Sequence, residues 1–256
     1  TQVLFVGTDA PFETTTLEKF GFAHKAIVSK PIKGGSMFSK IGSASLILVS
    51  LIQSLYILKS FKPDFVLGVG GFSSFAVVLA AWILGIPRGI AEQNAMPGLT
   101  NRMLSRFTDT IFTSFERTKG FTGNPKVRLT GNPVRQPDKD SQSIPTDLTG
   151  FTPGKFTILV TGGSQGASSI NNAFTDALGL MDNPDQYNII HQTGKKDEQT
   201  IRSRYKKLGI NADVNAFFDA MPQLQTMADL VIARAGAGTI FELSAAGAPS
   251  ILVPYP

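Results

Sequence analysis

No cysteine occurs among the 256 residues, which excludes a disulfide framework, a thiolate-bound metal and a cysteine nucleophile. The two histidines, His24 and His191, lie far apart with no ligand spacing, so no histidine-based metal site is expected. Neither a six-residue dinucleotide fingerprint nor a phosphate loop followed by Lys-Ser/Thr is present, and no G-x-S-x-G elbow suggests a hydrolase. The chain opens on Thr-Gln-Val-Leu without a basic-then-apolar leader pattern. An aromatic-rich platform for single strands and a recognition-helix pattern are both lacking, so no nucleic-acid partner is expected. With 42% hydrophobic and only 17% charged residues, the composition is that of a globular, somewhat apolar protein.

What charge there is divides unevenly. Residues 1–137 hold 15 Lys and Arg against 7 Asp and Glu, and residues 138–256 hold 9 against 12. A basic first half points either to ordinary solvated surface or to an anionic partner, for which a lipid surface is the better candidate.

Short runs rich in Val, Ile, Leu and Phe alternate with helical patterns at 3–7, 64–69, 87–91, 109–113, 127–130, 156–161, 187–191, 214–218, 229–233 and 250–253. Strands apolar on both faces and separated by helices imply an α/β fold with parallel sheets covered on both sides. The polar, proline-bearing stretch between Arg135 and Lys155 forms no periodic element. It divides the chain into a first domain at 1–135, a linker at 136–154 and a second domain at 155–256. Residues 41–58 run for 18 positions without a charge, yet four serines and Gln53 interrupt them, with Ser43, Ser50 and Ser54 roughly on one helical face. A buried or membrane-adjacent helix is expected there rather than a span, which would break the strand–helix alternation around it.

Three strand–turn–helix motifs carry chemistry. In FTILVTGGSQGA (156–167) a strand runs into Gly162-Gly163-Ser164-Gln165-Gly166, either an anion site built on backbone amides and the Ser164 hydroxyl or simply a tight turn. In DLVIARAGAGTIFELSAAG (229–247) the turn is Ala235-Gly236-Ala237-Gly238, followed by Thr239 and, three residues on, Glu242. One reading is a capping box with Thr239 as N-cap, which needs no ligand. The other gives Thr239 and neighbouring amides a phosphate and Glu242 the hydroxyls of a ribose. In the first half, DFVLGVGGFSSF (64–75) repeats the plan through Gly70, Gly71 and Phe72, and Glu92-Gln93-Asn94 stand at the end of a further strand, where open α/β sheets bind ligands. Arg135 closes a strand–turn at GNPVR (131–135), either as a surface residue or as a clamp for phosphate or sugar. Asp138-Lys139-Asp140 has the D-x-D pattern of a metal motif but falls in the linker and is expected to be solvated loop.

The strings VGT-x4-E (6–13), GVGGF (68–72), EQNAMPGLTNRMLSRF (92–107), GNPVR (131–135), GGSQGA (162–167), HQTGK (191–195) and ADLVIARAGAGTIFELSAAGAPSILVP (228–254), in this order, closely resemble the bacterial MurG family. Its members transfer N-acetylglucosamine from UDP to an undecaprenyl-diphospho-muramoylpentapeptide. The resemblance covers nearly the whole chain and implies two Rossmann-like domains of the GT-B kind facing each other across a cleft. Position by position it implies donor contacts at Asn94, Arg135, Ser164, Ala237, Gly238, Thr239 and Glu242, and at the backbone of Phe218 for the uracil. Gly70, Gly71, Phe72 and Glu92 become acceptor-side candidates. It further implies an inverting, metal-independent attack by the muramoyl 4-hydroxyl, no cofactor, and a peripheral protein on the cytoplasmic face of the bacterial inner membrane, docked on an anionic surface.

The family's first Gly-rich loop, with the histidine favoured as base, would precede residue 1, and further donor contacts would follow residue 256. The chain is therefore expected to be truncated at both ends and inactive alone, with no catalytic base assignable. It also departs from the family at Ala91, usually His, at Ala235, usually Ser, and at Gly238, usually Leu. A UDP-N-acetylglucosamine 2-epimerase, a glycolipid transferase of the same architecture or a non-catalytic nucleotide-sugar-binding remnant are the competing readings.

Overall fold

A computed structural model describes residues 2–28, 37–135 and 148–254, with side chains of Phe12 and of residues 37–45 excepted. The Asp138-Lys139-Asp140 motif and Ser43 therefore lie outside what is described. The chain divides into two compact units, Thr1–Gly131 and Asn132–Pro256.

The first unit begins with β1 (Leu4–Gly7), α1 (Pro11–Lys19) and β2 (Ala23–Ala26), in which β1 and β2 pair in parallel. Helix α2 (Met37–Phe61) follows, then β3 (Val66–Gly68), α3 (Gly71–Ile83), β4 (Arg88–Glu92), α4 (Leu99–Leu104), β5 (Thr110–Thr113) and β6 (Val127–Leu129). The last four strands form one parallel sheet in sequential order. Val66 on β3, Ile90 on β4 and Ile111 on β5 bury their side chains with Ala76, Val77, Ala80 and Ala81 of α3. The small residues of α3 permit close approach, and at Gly68 an added Cβ would stand 2.7 Å from Val78 Cγ2. On β3 the neighbouring Phe65 and Leu67 remain exposed, so cover on both faces is not seen there among the described residues.

Helix α2 shows what its serines are for. Ser50 donates to the carbonyls of Val28 and Leu46, Ser54 donates to the Ser50 carbonyl, and Gln53 Oε1 accepts from the Val28 N–H at 2.8 Å. Ser50 and Ser54 are buried while Leu48, Ile52 and Tyr56, spaced four apart, are 58%, 58% and 76% exposed. The helix thus turns Ser50, Gln53 and Ser54 towards the backbone beyond β2 and packs Leu51, Leu55 and Leu58 on the core, yet it also carries an apolar ridge on its outer face. No helix among the described residues is long and apolar enough to cross a membrane.

The second unit contains β7 (Phe156–Thr161), α5 (Ser168–Leu178), β8 (Tyr187–Gln192), α6 (Glu198–Leu208), β9 (Asp213–Asn215), α7 (Met221–Met227), β10 (Leu230–Arg234), α8 (Ala237–Ala246) and β11 (Ser250–Val253). Its five strands are all parallel in the order β11-β10-β7-β8-β9. Starting from β7, the chain builds outward to one edge and then returns to build the other, which is a doubly wound Rossmann-type sheet. Helical spacing sets the packing: Ile170, Phe174 and Leu178 of α5 and Ile201 and Tyr205 of α6 bury one face each against Ile158, Val160, Ile189 and Val214. A second cluster on the other face joins Leu159, Ile190, Phe218, Leu224, Val231, Ala233 and Leu243. Residues 148–152 belong to this unit rather than to a free linker. Asp213 Oδ1 accepts from the Thr149 and Gly150 amides at 2.8 and 3.0 Å, and Asn188 Oδ1 accepts from the Thr152 amide.

Candidate functional site

In an open doubly wound sheet, ligands sit beyond the carboxyl ends of the strands where the winding reverses. Here that point lies between β7 and β10, and the two Gly-rich turns follow these two strands. Ser164 and the group Ala237–Gly238–Thr239 are thereby brought to the same end of the same sheet.

The turn after β7 is locked to the one after β8. A Cβ on Gly166 would lie 1.9 Å from the Thr193 carbonyl oxygen, and one on Gly194 would lie 2.2 Å from the Gln165 carbonyl oxygen. Both residues have positive φ, so glycine is required twice over. Thr193 is held in turn by a buried polar chain. Asn171 Nδ2 donates to the Thr193 carbonyl and to Asp197 Oδ2, both at 2.9 Å, which leaves Asn171 Oδ1 as the acceptor facing His191 Nε2 at 3.1 Å. His191 therefore carries its proton on Nε2, and Nδ1 accepts from the Tyr205 hydroxyl at 2.8 Å. Burial pulls the His191 pKa down to about 3 and pushes the Tyr205 hydroxyl up, so both stay neutral. The carboxyl of Asp197 is held below its ordinary value, first by a hydrogen bond with Ser168 at the start of α5 and then by Asn171 and Lys196, against partial desolvation.

Helix α8 presents a different end. Its N-cap is Gly236, with no side-chain cap and no acidic residue in the first turn. Ile240 N–H already bonds the Gly236 carbonyl, so the amides of Ala237, Gly238 and Thr239 are those without an intrahelical partner. The capping-box expectation is corrected here: Thr239 is the third helical residue rather than the N-cap, and Glu242 is the sixth, beyond reach of a reciprocal cap. At a spacing of three, Thr239 and Glu242 share one face of the helix. The Glu242 carboxylate lies 4.0 Å from Arg135 Nε and 3.5 Å from Gln225 Nε2, contacts long enough to leave its lone pairs available. Arg135 falls within the second unit, and its nearest carboxylate is that of Glu242.

Phe218 is fully buried and its N–H donates to Gln192 Oε1 at 2.9 Å. Gln192 stands inside the HQTGK string, but sequence reasoning gave it no role; nor did it single out Gln225 or Asn101. For Gln192 the available signal was a polar side chain at the end of an otherwise apolar buried strand, while Asn101 and Gln225 lie on α4 and α7 and carried none.

In the first unit, Gly70, Gly71, Glu92 and Asn94 line one pocket of about 200 Å³ together with Asn101, whereas Phe72 lies beside it. The pocket opens at the N-terminus of α3, whose N-cap Gly70 has φ 93° and no side-chain cap. Glu92 is buried and saturated. Oε1 accepts from the Asn94 N–H and Nδ2 at 2.9 and 3.2 Å, and Oε2 accepts from the Gly98 N–H and Asn101 Nδ2 at 3.0 and 2.9 Å. That carboxylate shapes the 93–98 loop and has no lone pair directed at a ligand. Asn101 Nδ2 also donates to the Ala91 carbonyl, which fixes the amide orientation and leaves Oδ1 buried without a partner.

Residues 1–113 match the Glycosyltransferase family 28 N-terminal domain and residues 157–256 its C-terminal domain. The UDP-N-acetylglucosamine--N-acetylmuramyl-(pentapeptide) pyrophosphoryl-undecaprenol N-acetylglucosamine transferase of Geotalea uraniireducens is 42% identical over all of this chain and 70% of its own length. The crystal structure of Acinetobacter baumannii MurG superposes with a TM-score of 0.71 at 31% identity, covering 100% of this chain and 69% of that one. A Listeria monocytogenes protein described as a UDP-N-acetylglucosamine 2-epimerase shares the fold alone, at a TM-score of 0.67 and 15% identity over 98% of this chain and 70% of that one. The chain belongs to the MurG family of family 28 glycosyltransferases.

Proposed function

We propose that this chain transfers N-acetylglucosamine from UDP-N-acetylglucosamine to the muramoyl 4-hydroxyl of an undecaprenyl-diphospho-muramoylpentapeptide lipid, the step from lipid I to lipid II in peptidoglycan synthesis. The observation that carries the donor half is the uncapped start of α8 beside the switch point, one helical turn before a carboxylate with free lone pairs. Amides of Ala237, Gly238 and Thr239 at a positive helix end suit a diphosphate, and Ser164 on the adjacent turn adds a hydroxyl. Glu242 accepts the ribose hydroxyls, and Arg135 beside it neutralises charge. The backbone around Phe218 meets the uracil, and Asn94 is a further donor contact, as the family resemblance implies.

The pocket at the α3 N-terminus takes the acceptor. Its amides at Gly71 and Phe72 offer donors for the lipid diphosphate, and Asn101 Oδ1 accepts a donor from the ligand. The transfer is direct, inverting and metal-independent, as the family resemblance implies, and uses no cofactor. The apolar ridge Leu48–Ile52–Tyr56 and the basic first half support a peripheral position on an anionic membrane, at the cytoplasmic face. The chain spans 70% of the length of the Geotalea uraniireducens relative.

Calorimetric titration of the 256-residue chain with UDP and ADP, next to a transfer assay with labelled UDP-N-acetylglucosamine and lipid acceptor, tests this reading. UDP binding in preference to ADP is expected, together with transfer of the label to the lipid acceptor. Absence of UDP binding refutes the donor site, and UDP binding without any transfer refutes the transferase reading.

A further inference from the structure

Gln192 ends β8 with its side chain 3% exposed and all its polar atoms engaged. Nε2 donates to the Gly163 carbonyl at 3.1 Å and to Thr161 Oγ1 at 3.3 Å, while Oε1 accepts the Phe218 N–H at 2.9 Å. Thr161 Oγ1 also accepts the Gly163 N–H at 3.2 Å, and the Gly163 carbonyl also accepts the Gly166 N–H at 3.0 Å. The amide orientation is unambiguous, because exchanging O and N would set oxygen against the Gly163 carbonyl and nitrogen against the Phe218 N–H.

In a trans peptide the carbonyl and the following N–H point in opposite directions. Pinning the Gly163 carbonyl to Gln192 therefore turns the Ser164 N–H away from Gln192. Pinning the Phe218 N–H in the same way turns the Phe217 carbonyl away. The first outward group is a donor suited to a phosphate oxygen, and the second is an acceptor suited to the N3–H of a uracil. Since the Phe218 N–H is consumed, that peptide can offer the base its carbonyl alone.

We propose that Gln192 is a positioning residue whose one carboxamide sets both the diphosphate-facing peptide Gly163–Ser164 and the base-facing peptide Phe217–Phe218. This rests on the donor reading above and adds to it the element that holds base and diphosphate contacts in fixed relation. It touches no substrate itself.

The diphosphate-facing end can be released while the base-facing end is kept. Gln192→Glu keeps the acceptor for the Phe218 N–H and removes the donor to the Gly163 carbonyl. The neutral Thr161→Val removes the hydroxyl that holds Gly163 and leaves the Phe218 bond in place. Each variant of the 256-residue chain is titrated with UDP by calorimetry and with uridine by ligand-observed NMR, with a melting curve for folding. Expected is a loss of about tenfold in UDP affinity, the worth of one or two buried hydrogen bonds, with uridine changed by no more than about twofold. Equal losses for both ligands, or no loss for UDP, overturn the proposal. Failure of both variants to fold also overturns it, since Gln192 then holds the sheet rather than the ligand loops. If the unsubstituted chain does not bind UDP, the donor reading fails first, a result in which no variant takes part.

Discussion

Replacing Glu242 by Gln separates a ligand contact from a structural one with a single atom changed. In the free protein the carboxylate has little to lose. The Arg135 partner is 4.0 Å away with its side chain 63% exposed, and an exposed pair of that kind contributes about 0–1 kcal/mol. The Gln225 contact is 3.5 Å long and is kept by the amide oxygen of the replacement. No helix cap is lost, because Glu242 is six residues into α8. The melting temperature should therefore fall by no more than about 4–8 °C, the shift that ~1 kcal/mol gives a domain of ordinary size. The bound state differs: a carboxylate accepting two ribose hydroxyls makes charge-assisted bonds, and the amide offers one acceptor and one misplaced donor. The expected cost is about 1.5–3 kcal/mol, or roughly ten- to a hundredfold in UDP affinity. Thr239→Ala keeps the backbone amide, so it should lower UDP affinity far less than Glu242→Gln, and it should leave α8 stable, since Thr239 caps nothing. Calorimetry with UDP beside a thermal melt reads both quantities. Unchanged UDP affinity in Glu242→Gln would refute the ribose assignment.

Glu92→Gln should do the opposite, lowering the melting temperature through a loss of about 3 kcal/mol, because an amide N–H would face two of the four donors that the buried carboxylate satisfies. A melt indistinguishable from that of the parent chain would refute its role as organiser of the 93–98 loop. The His191 pKa is depressed to about 3 in the folded chain, so below about pH 6.5 the unfolded chain binds a proton that the folded one does not. Stability of the second unit is therefore full above that pH and falls by about 1.4 kcal/mol per unit as pH drops towards 3. Denaturant melts between pH 7.5 and 4 should show this slope, and a flat profile would refute it. Co-sedimentation should be stronger with anionic than with neutral vesicles and weaken with salt, since charges are screened over about 8 Å at physiological ionic strength. Equal binding to both at every salt concentration would refute the electrostatic part.

The sequence made the sheets legible because parallel strands favour unbroken apolar runs, and all ten such runs hold a strand, although β3, β6 and β11 leave apolar side chains exposed. Strand β2 escaped notice since Ala23-His24-Lys25-Ala26 pairs with β1 alone and needs no such run. The Gly-rich turns stood out because close backbone approach admits no other residue, as at Gly166. The helix that begins at Gly236 did not, because Thr-x-x-Glu looks the same in sequence whether Thr caps the helix or lies three residues into it. Gln192 and Asn101 were hidden for a related reason. Their importance comes from the backbone groups they hold, and backbone groups leave no letter in the sequence.

That backbone character bears on the positions where this chain departs from its family. A phosphate site built from side-chain hydroxyls would be damaged by alanine at 235, where serine is usual. In the proposed donor site the donors are the amides at the start of α8, and the Ala235 N–H is committed to the Val253 carbonyl whatever its side chain. Gly238 opens space rather than closing it, for a Cβ there would first meet Asn132 Nδ2, at 3.9 Å. Its amide remains in the first turn of α8 either way. Substitutions of this kind in the 235–238 loop alter its rim and leave its backbone donors in place.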